Sequence, residues 1–481
     1  MNKLIYLLAF LPGAAYAQSE DHFTLTDIID LAHTQSSVYK VAATQKALSY
    51  YNYLSYQSDL KPQISFYGNA PVYSKQYAAV IQPDGAKSYL PLQQNTNRLG
   101  IGLSQPISLT GGTFSLNSEF EQFRDFRESS TSYNSVPFFL QLNQPLFAFN
   151  DIKWKKKIEP LRLEESKRNY AEEMESISQQ AIGFYFDLLD AQMEINTARF
   201  NLENDSINYD IETRRIKLGT TSEDKILQLQ LQTLRSKQQL EKALYDHKIA
   251  EMKIKRFIGY KDSSRLVLQL PQTIPVLNIS QEKALFYARQ YRPEFIAFER
   301  KMREAQRDVA QAKAARHQVS LSMTYGLNQA GSQVNKVYSD LKSKQTVSIG
   351  FNIPIIDWGR RNVQYKTAVA TQELIKFNNE IDSTAMLEEV ITLISNIALL
   401  RNNITLSESA DSVARERFRI ASGLYRIGKL TILEINNAQA EKDMAQTNFI
   451  NALRNYWDGY FQLRRLTLFD FEYQRPLYGL Q

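Results

Sequence analysis

Two periodicities divide this chain. Apolar and polar side chains alternate over residues 62–72, with Ile64, Phe66 and Val72 set against Ser65 and Asn69, and alternation returns over 97–107, 113–120, 136–144, 319–327 and 346–355. Side chains of a strand point to opposite faces in turn, so each stretch predicts a strand with one apolar face. Leu99, Ile101 and Leu103 fall on that face, as do Phe114, Leu116 and Phe120, then Val136, Phe138, Leu140 and Leu142. In the last stretch Val347, Ile349, Phe351, Ile353 and Ile355 oppose Thr346, Ser348, Gly350 and Asn352. Gly111-Gly112 predicts a tight hairpin turn. Residues 73–96, rich in Tyr, Gln, Pro and Asn and without a period, predict a long surface loop.

Elsewhere the period is helical. Helices are expected over 24–60, with Thr26 as cap and Pro62 as stop; over 152–218, broken only by Pro160; from the turn at Gly219 to about 257; over 280–316, with Arg292-Pro293 inside; and over 360–427. A helix of ~65 residues runs ~100 Å, more than an ordinary globular core needs. Gly428 ends one long helix, since glycine reaches positive φ without penalty, and Thr431 caps the next. Beyond it Ala438, Ala445, Ala452 and Gly459 recur every seven residues, a spacing that lets helix backbones approach closely.

The pattern is written twice. Residue 428 minus 219 is 209, and the same offset carries the small-residue stripe onto Leu229, Ser236, Ala243 and Ala250, and Asn352 onto Asn143. Upstream the offset grows: Ile64 pairs best with Val319, 255 residues apart, so the first half holds about 46 residues more between its first and last strands. Each half therefore starts from two strands, and the first has gained a hairpin around Gly111. The expected division is 1–17, a first repeat over 18–278 (strands about 62–147, helical hairpin about 152–257) and a second over 279–481 (strands about 319–356, helical hairpin about 360–466, then a tail).

Composition narrows the class. Lys3, the apolar run to Leu11 and Ala15-Tyr16-Ala17 have the form of a secretory signal peptide, so the mature chain is expected to begin near Gln18. The sequence has no cysteine, which excludes disulfides and a cysteine-linked lipid anchor. No later run of ~20 apolar residues is evident, so no spanning helix is expected. The net charge of +6 comes from 57 basic and 51 acidic residues interleaved along helices, the look of solvated coiled-coil faces and not of a nucleic-acid site. The sequons at Asn204, Asn278 and Asn403 would matter only in a eukaryotic secretory route. His22, His33, His247 and His317 lack ligand spacing, and no nucleophile motif or phosphate loop is present, so neither enzyme activity, a cofactor nor a metal is expected.

Strand pairs interleaved with helical hairpins too long for one globule, behind a signal peptide, resemble the TolC-like outer-membrane efflux protein family. The resemblance covers most of the mature chain. Its specific points are residues 144–147 (QPLF) and 353–361 (IPIIDWGRR) at the strand-to-helix passages, Arg292-Pro293-Glu294 before the second strand pair, and residues 425–428 (YRIG). It implies a mostly α fold with a membrane β-barrel portion: a homotrimer whose strands share one transmembrane barrel in the bacterial outer membrane and whose helices form a periplasmic α-barrel tunnel. It further implies an exit channel of a tripartite efflux pump or type I secretion system, conducting small toxic molecules or a secreted protein, with a membrane-fusion adaptor and an inner-membrane pump of RND or ABC type as partners. Three chains of four strands make the family's 12; with the added hairpin the barrel would have 18, still an even number.

The resemblance also points to residues. Where the family carries two aspartates at the narrow end of its tunnel this chain has Glu434 and Asn437; Leu430 stands where the family can have a locking arginine; Tyr425 matches a family tyrosine near the same contact. The repeat places Lys225 at the position equivalent to Glu434, which allows a modest ion pair between them. From spacing alone Glu434 reads first as a solvated helix-face charge. The turns at Gly219 and Gly428 are the expected adaptor-docking points. Lys153, Lys155, Lys156, Lys157, Arg360 and Arg361 follow the last strand of each half, where they would meet the phosphates of outer-membrane lipid, with Trp154 and Trp358 in the interfacial belt. Ordinary helix-start charges are the alternative there. For the whole chain, the alternative is a soluble periplasmic coiled-coil scaffold without channel activity.

Overall fold

The computed structural model describes residues 20–479 except 82, 221, 262, 263, 276, 278, 316, 317 and 354, so the expected signal peptide, the sequon at Asn278, His317 and Pro354 lie outside the described residues. In chain order the elements are β1 (Glu20–Phe23), α1 (Leu25–Gln35), α2 (Ser37–Asp59), β2 (Gln63–Ile81), β3 (Lys87–Ile107), β4 (Gly112–Asp125), β5 (Ser130–Leu146), α3 (Asp151–Lys217) and α4 (Glu223–Ile258). There follow β6 (Arg265–Leu268), α5 (Gln281–Tyr291), α6 (Pro293–Ala314), β7 (Gln318–Gly331), β8 (Lys342–Asn352), α7 (Arg360–Arg426) and α8 (Ile432–Thr467). The duplication shows in the lengths: α3 and α7 have 67 residues each, α4 and α8 36 each. The chain forms two compact units, one from residues 46–166 and 293–384, the other from the remainder.

The first of these units holds one sheet in the order β2-β3-β4-β5-β7-β8, every neighbouring pair antiparallel. The added hairpin is thus part of a continuous sheet, and β5 joins β7 where the halves meet. Its apolar face is laid out by register. Ile64 lies opposite Leu103, Leu103 opposite Leu116, Leu116 opposite Leu140, and Leu140 opposite Tyr325. Much of this face is open among the described residues: Ile64 and Phe66 are each 74% exposed and Phe351 75%. On the other face the Tyr67 ring lies over two glycines, where a Cβ on Gly100 would sit 2.7 Å from the ring and one on Gly102 3.3 Å from it. The Tyr67 hydroxyl donates to Glu119 at 2.9 Å.

Five expectations about these strands and their flanking helices change. Residues 73–96 are not a loop. Most of them complete β2 and β3, paired from Tyr73 with Asn95 to Ile81 with Lys87, and no period shows because polar and apolar residues are mixed on both faces of this ribbon. Val72, expected on the face of Ile64 and Phe66, pairs with Thr96 on the opposite face, because a bulge between Asn69 and Val72 shifts the parity of β2. Val136, expected on the apolar face, is buried, because register shifts near Asn117 and Ser135 turn β5 at that point. Pro160 does not break α3, which continues through it although a helical proline supplies no N–H to the carbonyl four residues back. Arg292-Pro293 does divide its helix: Arg292 is extended and Pro293 opens α6, a position where its missing N–H is not needed.

The second unit is built on helices. Its main core gathers Ile28 and Ala32 from α1, Ile182, Tyr185 and Phe186 from α3, Ile254 and Ile258 from α4, and Leu453, Tyr456 and Tyr460 from α8. Each fully buried Ile, Leu or Phe among them contributes about 1.5–3 kcal/mol. The short strand β1 pairs in parallel with β6. The helix cap upstream is Thr24, in a capping box with Asp27, rather than Thr26, and Ser36 separates α1 from α2. The small-residue stripes are buried on both repeats: Ser236, Ala243 and Ala250 on α4, Ala438, Ala452 and Gly459 on α8. A Cβ on Gly459 would come within 3.0 Å of Leu400.

One helix, α7, is long and apolar enough by length and composition to cross a membrane, contrary to the expectation of none. Its apolarity has a local cause, because the helix carries two seams. Val390, Leu393 and Ile397 enter the core, while Leu399, Leu406, Val413, Ile420 and Ile427, seven residues apart, are exposed.

The junction of the halves offers a direct test. A Cβ on Gly326 would lie 2.5 Å from Phe139 Cβ and 2.6 Å from the Phe138 carbonyl oxygen, and backbone cannot yield to it. Gly326→Val should prevent β5 from pairing with β7, so that protease-resistant, folded protein is lost; an unchanged yield would show that the junction is not tight.

Candidate functional site

The two duplicated turns form alike. Gly219 and Gly428 have φ of 69° and 75°. Thr220 N donates to Arg215 O at 3.1 Å, and Lys429 N to Leu424 O at 2.9 Å, the closing bond of a left-handed helix end in each repeat. The next helices then begin differently. Thr431 Oγ1 accepts from Glu434 N at 3.3 Å, while Glu434 Oε2 accepts from Thr431 N at 2.8 Å and from its hydroxyl at 2.7 Å, a complete capping box. At the equivalent turn Ser222 makes no side-chain cap bond, and the residue three further on is Lys225, which has no acceptor to return.

Glu434, Asn437 and Lys225 are all exposed. The bonds from Thr431, first from its backbone N–H, hold the Glu434 carboxyl below the usual carboxylate range, so it stays ionised. Among the described residues Glu434 and Lys225 form no ion pair within the chain.

Tyr425 lies at the centre of a closed contact. It is buried in a small cluster with Leu229, Phe418, Ile432, Ile435 and Ala438. Its hydroxyl donates to Glu212 Oε1 at 3.0 Å. Arg215 pairs with the same carboxylate, and its Nη2 donates to the Tyr425 and Arg426 carbonyls at 3.0 and 3.1 Å, the last acceptors of α7. The guanidinium also lies 5.5 Å from the Tyr425 ring centroid. Burial, then the Glu212 charge, raises the Tyr425 pKa and keeps its proton in place. Glu212 and Arg215 thereby fasten the end of α3 to the end of α7.

These two residues belong to a longer polar seam that periodicity alone did not single out. Asn201, Asp205, Asn208, Glu212 and Arg215 recur on α3 at intervals of four and three, the spacing of a coiled-coil contact line. Asn201 donates to Asp443 of α8 at 2.6 Å; Asp205, fully buried, accepts from Ser236 and Gln232 of α4. Lys442 of α8, its side chain buried, lies 4.5 Å from the Phe200 ring centroid and 5.0 Å from that of Phe418, and 3.0 Å from Asp443. Above this level α3 packs through Ile177, Ile182, Tyr185 and Leu189. The signal was present as heptad spacing, but in polar residues, whereas helical seams are sought in apolar ones.

The basic clusters at the starts of α3 and α7 are partly matched. Lys155 pairs with Asp151 at 2.9 Å, and Lys157 lies 5.1 Å from the Trp154 ring centroid. Asp357 accepts from Gly359 N and Arg361 N and lies 4.0 Å from the Arg361 side chain. Asn150 accepts from Lys153 N at 3.0 Å. Caps and acids thus offset some of the unfavourable charge at these helix starts. Trp358 is 95% exposed, and Lys156 and Arg360 are exposed too. Among the described residues no group of His, Asp or Glu is placed to hold a metal ion.

The polar seam makes two measurable claims. Removing Arg215 leaves the buried Glu212 carboxylate without its cation, a change that costs roughly 3–5 kcal/mol, so Arg215→Ala should expose the amides of residues 212–217 and 425–430 to hydrogen exchange. Tyr425→Phe removes one bond to a charged acceptor, worth about 1.5–3 kcal/mol, and should act in the same region with smaller effect. The second claim concerns pH. Burial raises the Asp205 pKa, against the lowering effect of Ser236 and Gln232 and with the Asp443 charge adding to the rise. A carboxyl whose folded-state pKa lies above its unfolded value binds the proton more tightly when folded. Stability of the contact should therefore fall as pH rises between those two values, and Asp205→Asn should flatten that dependence.

The sequence matches the outer membrane efflux protein family over residues 28–260 and 287–467. No curated protein matches it significantly. Among solved structures it is similar to the Campylobacter jejuni CmeC outer membrane channel, at 17% identity and a TM-score of 0.66, covering 92% of this chain and 85% of that one. It is similar to the open state of the Neisseria gonorrhoeae MtrE outer membrane channel, at 14% identity, TM-score 0.63 and coverage of 92% and 88%. The Vibrio cholerae outer membrane protein VceC is matched at 12% identity, TM-score 0.62 and coverage of 92% and 95%. At these identities the likeness is one of fold.

Proposed function

Since the chain belongs to the outer membrane efflux protein family and is an exit channel of the outer membrane, we propose that it works as a homotrimer whose three sheets close into one 18-stranded transmembrane barrel. The single observation that carries this is the open six-stranded sheet. Its apolar face is exposed, and β2 and β8 each pair on one side only. Lipid offers no hydrogen bonds to an open strand edge, so the edges must pair with those of other copies. The helices support the same assembly. The exposed seam of α7 from Leu399 to Ile427 has a counterpart of different sequence on α4, formed by Leu227, Leu231, Leu234, Tyr245 and Met252. Two unlike seams suit a head-to-tail contact, which closes into a ring. A soluble scaffold would leave both the sheet face and the seams without a role.

In this reading Trp154, Trp358, Lys155, Lys156, Arg360 and Arg361 lie at the periplasmic rim of the barrel, facing lipid headgroups. The turns at Gly219 and Gly428 dock a periplasmic membrane-fusion adaptor, itself joined to an inner-membrane pump of RND or ABC type. The bonds joining Tyr425, Glu212 and Arg215 hold the periplasmic end closed, with the arginine supplied by α3 while Leu430 stands at the α8 side. Glu434 and Asn437 line the aperture, and one acid per protomer sets its preference for cations.

Purified in detergent, the protein should have the mass of a trimer and form conducting channels in planar bilayers; a monomer soluble without detergent would exclude the proposal. Glu434→Gln keeps a side chain able to complete the capping box but removes the charge. Cation selectivity and divalent block should fall while the closed-state population stays the same, and unaltered selectivity would place Glu434 away from the aperture. Bulky residues at both Gly219 and Gly428 should abolish export and leave the oligomer in the membrane.

A further inference from the structure

The hairpin of β2 and β3 runs on past the rest of the sheet. Pairing of β3 with β4 ends at Gln94 with Asp125, but β2 and β3 continue through Lys75 with Gln93 to Ile81 with Lys87. A two-stranded ribbon is marginally stable by itself, so one of its faces should have a partner.

Register identifies that face. Alternation in β3 is unbroken from Leu103 to Lys87, so Tyr89, Pro91 and Gln93 share the face of Leu99 and Ile101, and the bulge in β2 brings Tyr77 and Lys75 opposite Pro91 and Gln93. Going outward from the apolar band, this face turns first to cations and then to aromatic rings. Tyr73, Asn95 and Arg124 are in register, and the Arg124 guanidinium lies 5.0 Å from the Phe126 ring centroid. Lys75 follows, then Tyr77 and Tyr89, 75% and 74% exposed, with Lys87 at the end. Among the described residues of these strands, the acids Glu119, Glu121 and Asp125 fall on the opposite face, where Glu121 is bonded to Arg98.

We infer that this face binds a phosphorylated glycolipid of the outer leaflet, of the lipopolysaccharide class. The order of chemistry matches the order of such a molecule. Acyl chains meet Leu99 and Leu103; phosphates meet Arg124 and Lys75 at the edge of the apolar band, and Lys87, beyond the tyrosines, meets a phosphate carried on the sugars, with no acid of the described strand residues on this face to neutralise them. The apolar faces of sugar rings lie on Tyr77 and Tyr89, side chains that are flat and apolar with a polar tip. A second copy of the same ribbon fits less well, because its lysines would face these lysines. The inference rests on the reading that the sheet is inserted in the membrane.

The test uses the full-length protein in detergent, titrated with labelled lipopolysaccharide, with phosphatidylglycerol and with inorganic phosphate. Wild type should bind lipopolysaccharide at least tenfold more tightly than phosphatidylglycerol, and inorganic phosphate should not compete. Substituting Lys75, Lys87 and Arg124 together by alanine should remove that preference without changing the amount of protein in the outer membrane. Tyr77→Ser with Tyr89→Ser should remove discrimination between whole lipopolysaccharide and its sugar-trimmed lipid. Equal binding of both lipids by wild type, unchanged binding by the alanine variant, effective competition by phosphate, or loss of oligomer in the tyrosine variant would each overturn the inference. Fractionation separates the two readings: wild type found in the soluble fraction sinks the channel reading, whereas inserted protein without lipid preference sinks only this one.

Discussion

Every backbone N–H and C=O needs a partner, and that requirement governs this molecule wherever water is scarce. The six-stranded sheet satisfies it internally for four strands and leaves half of it unmet on β2 and β8. A sheet with an apolar face and two unpaired edges is a stable object only as part of something larger. Other features of the strand region agree with this: the shifts that bury Val136 and the tight approach of β5 to β7 at Gly326 lie where the two halves join, and the glycines of β3 leave room for the Tyr67 ring within the first half.

The helical unit obeys a different balance. Its core around Tyr185, Tyr456 and Tyr460 is held by area removed from water, which is insensitive to direction. Towards the duplicated turns the contact line of α3 becomes polar, and stability there depends on bonds with definite geometry. Polar contact lines fix register while contributing less net stability, and breaking them exposes groups that water can solvate.

The sequence displayed the architecture with unequal clarity. Long helices, both turns and the 209-residue repeat were legible because helical period and glycine placement are local properties. Most strand faces were legible for the same reason. The ribbon over residues 73–96 was not, since polar and apolar residues are mixed on both of its faces. Tyr425 could be singled out by resemblance, but its partners could not. Glu212 and Arg215 lie more than 200 residues earlier, and only the packing of α3 against α7 brings them to the tyrosine. The apolar stretch of α7 was underestimated because Thr392, Ser395 and Asn396 interrupt the apolar residues of 390–400, so that no uninterrupted run forms.

The two turns share a backbone but not a beginning for the helix that follows. Glu434 and Thr431 staple the first turn of α8, whereas the start of α4 has no such staple. A side-chain cap contributes about 0.5–2 kcal/mol to the helix it starts, so unwinding the first turn of α8 costs more than unwinding that of α4. The twofold repeat within the chain is therefore unequal in its resistance to unwinding even where its backbone is alike in shape.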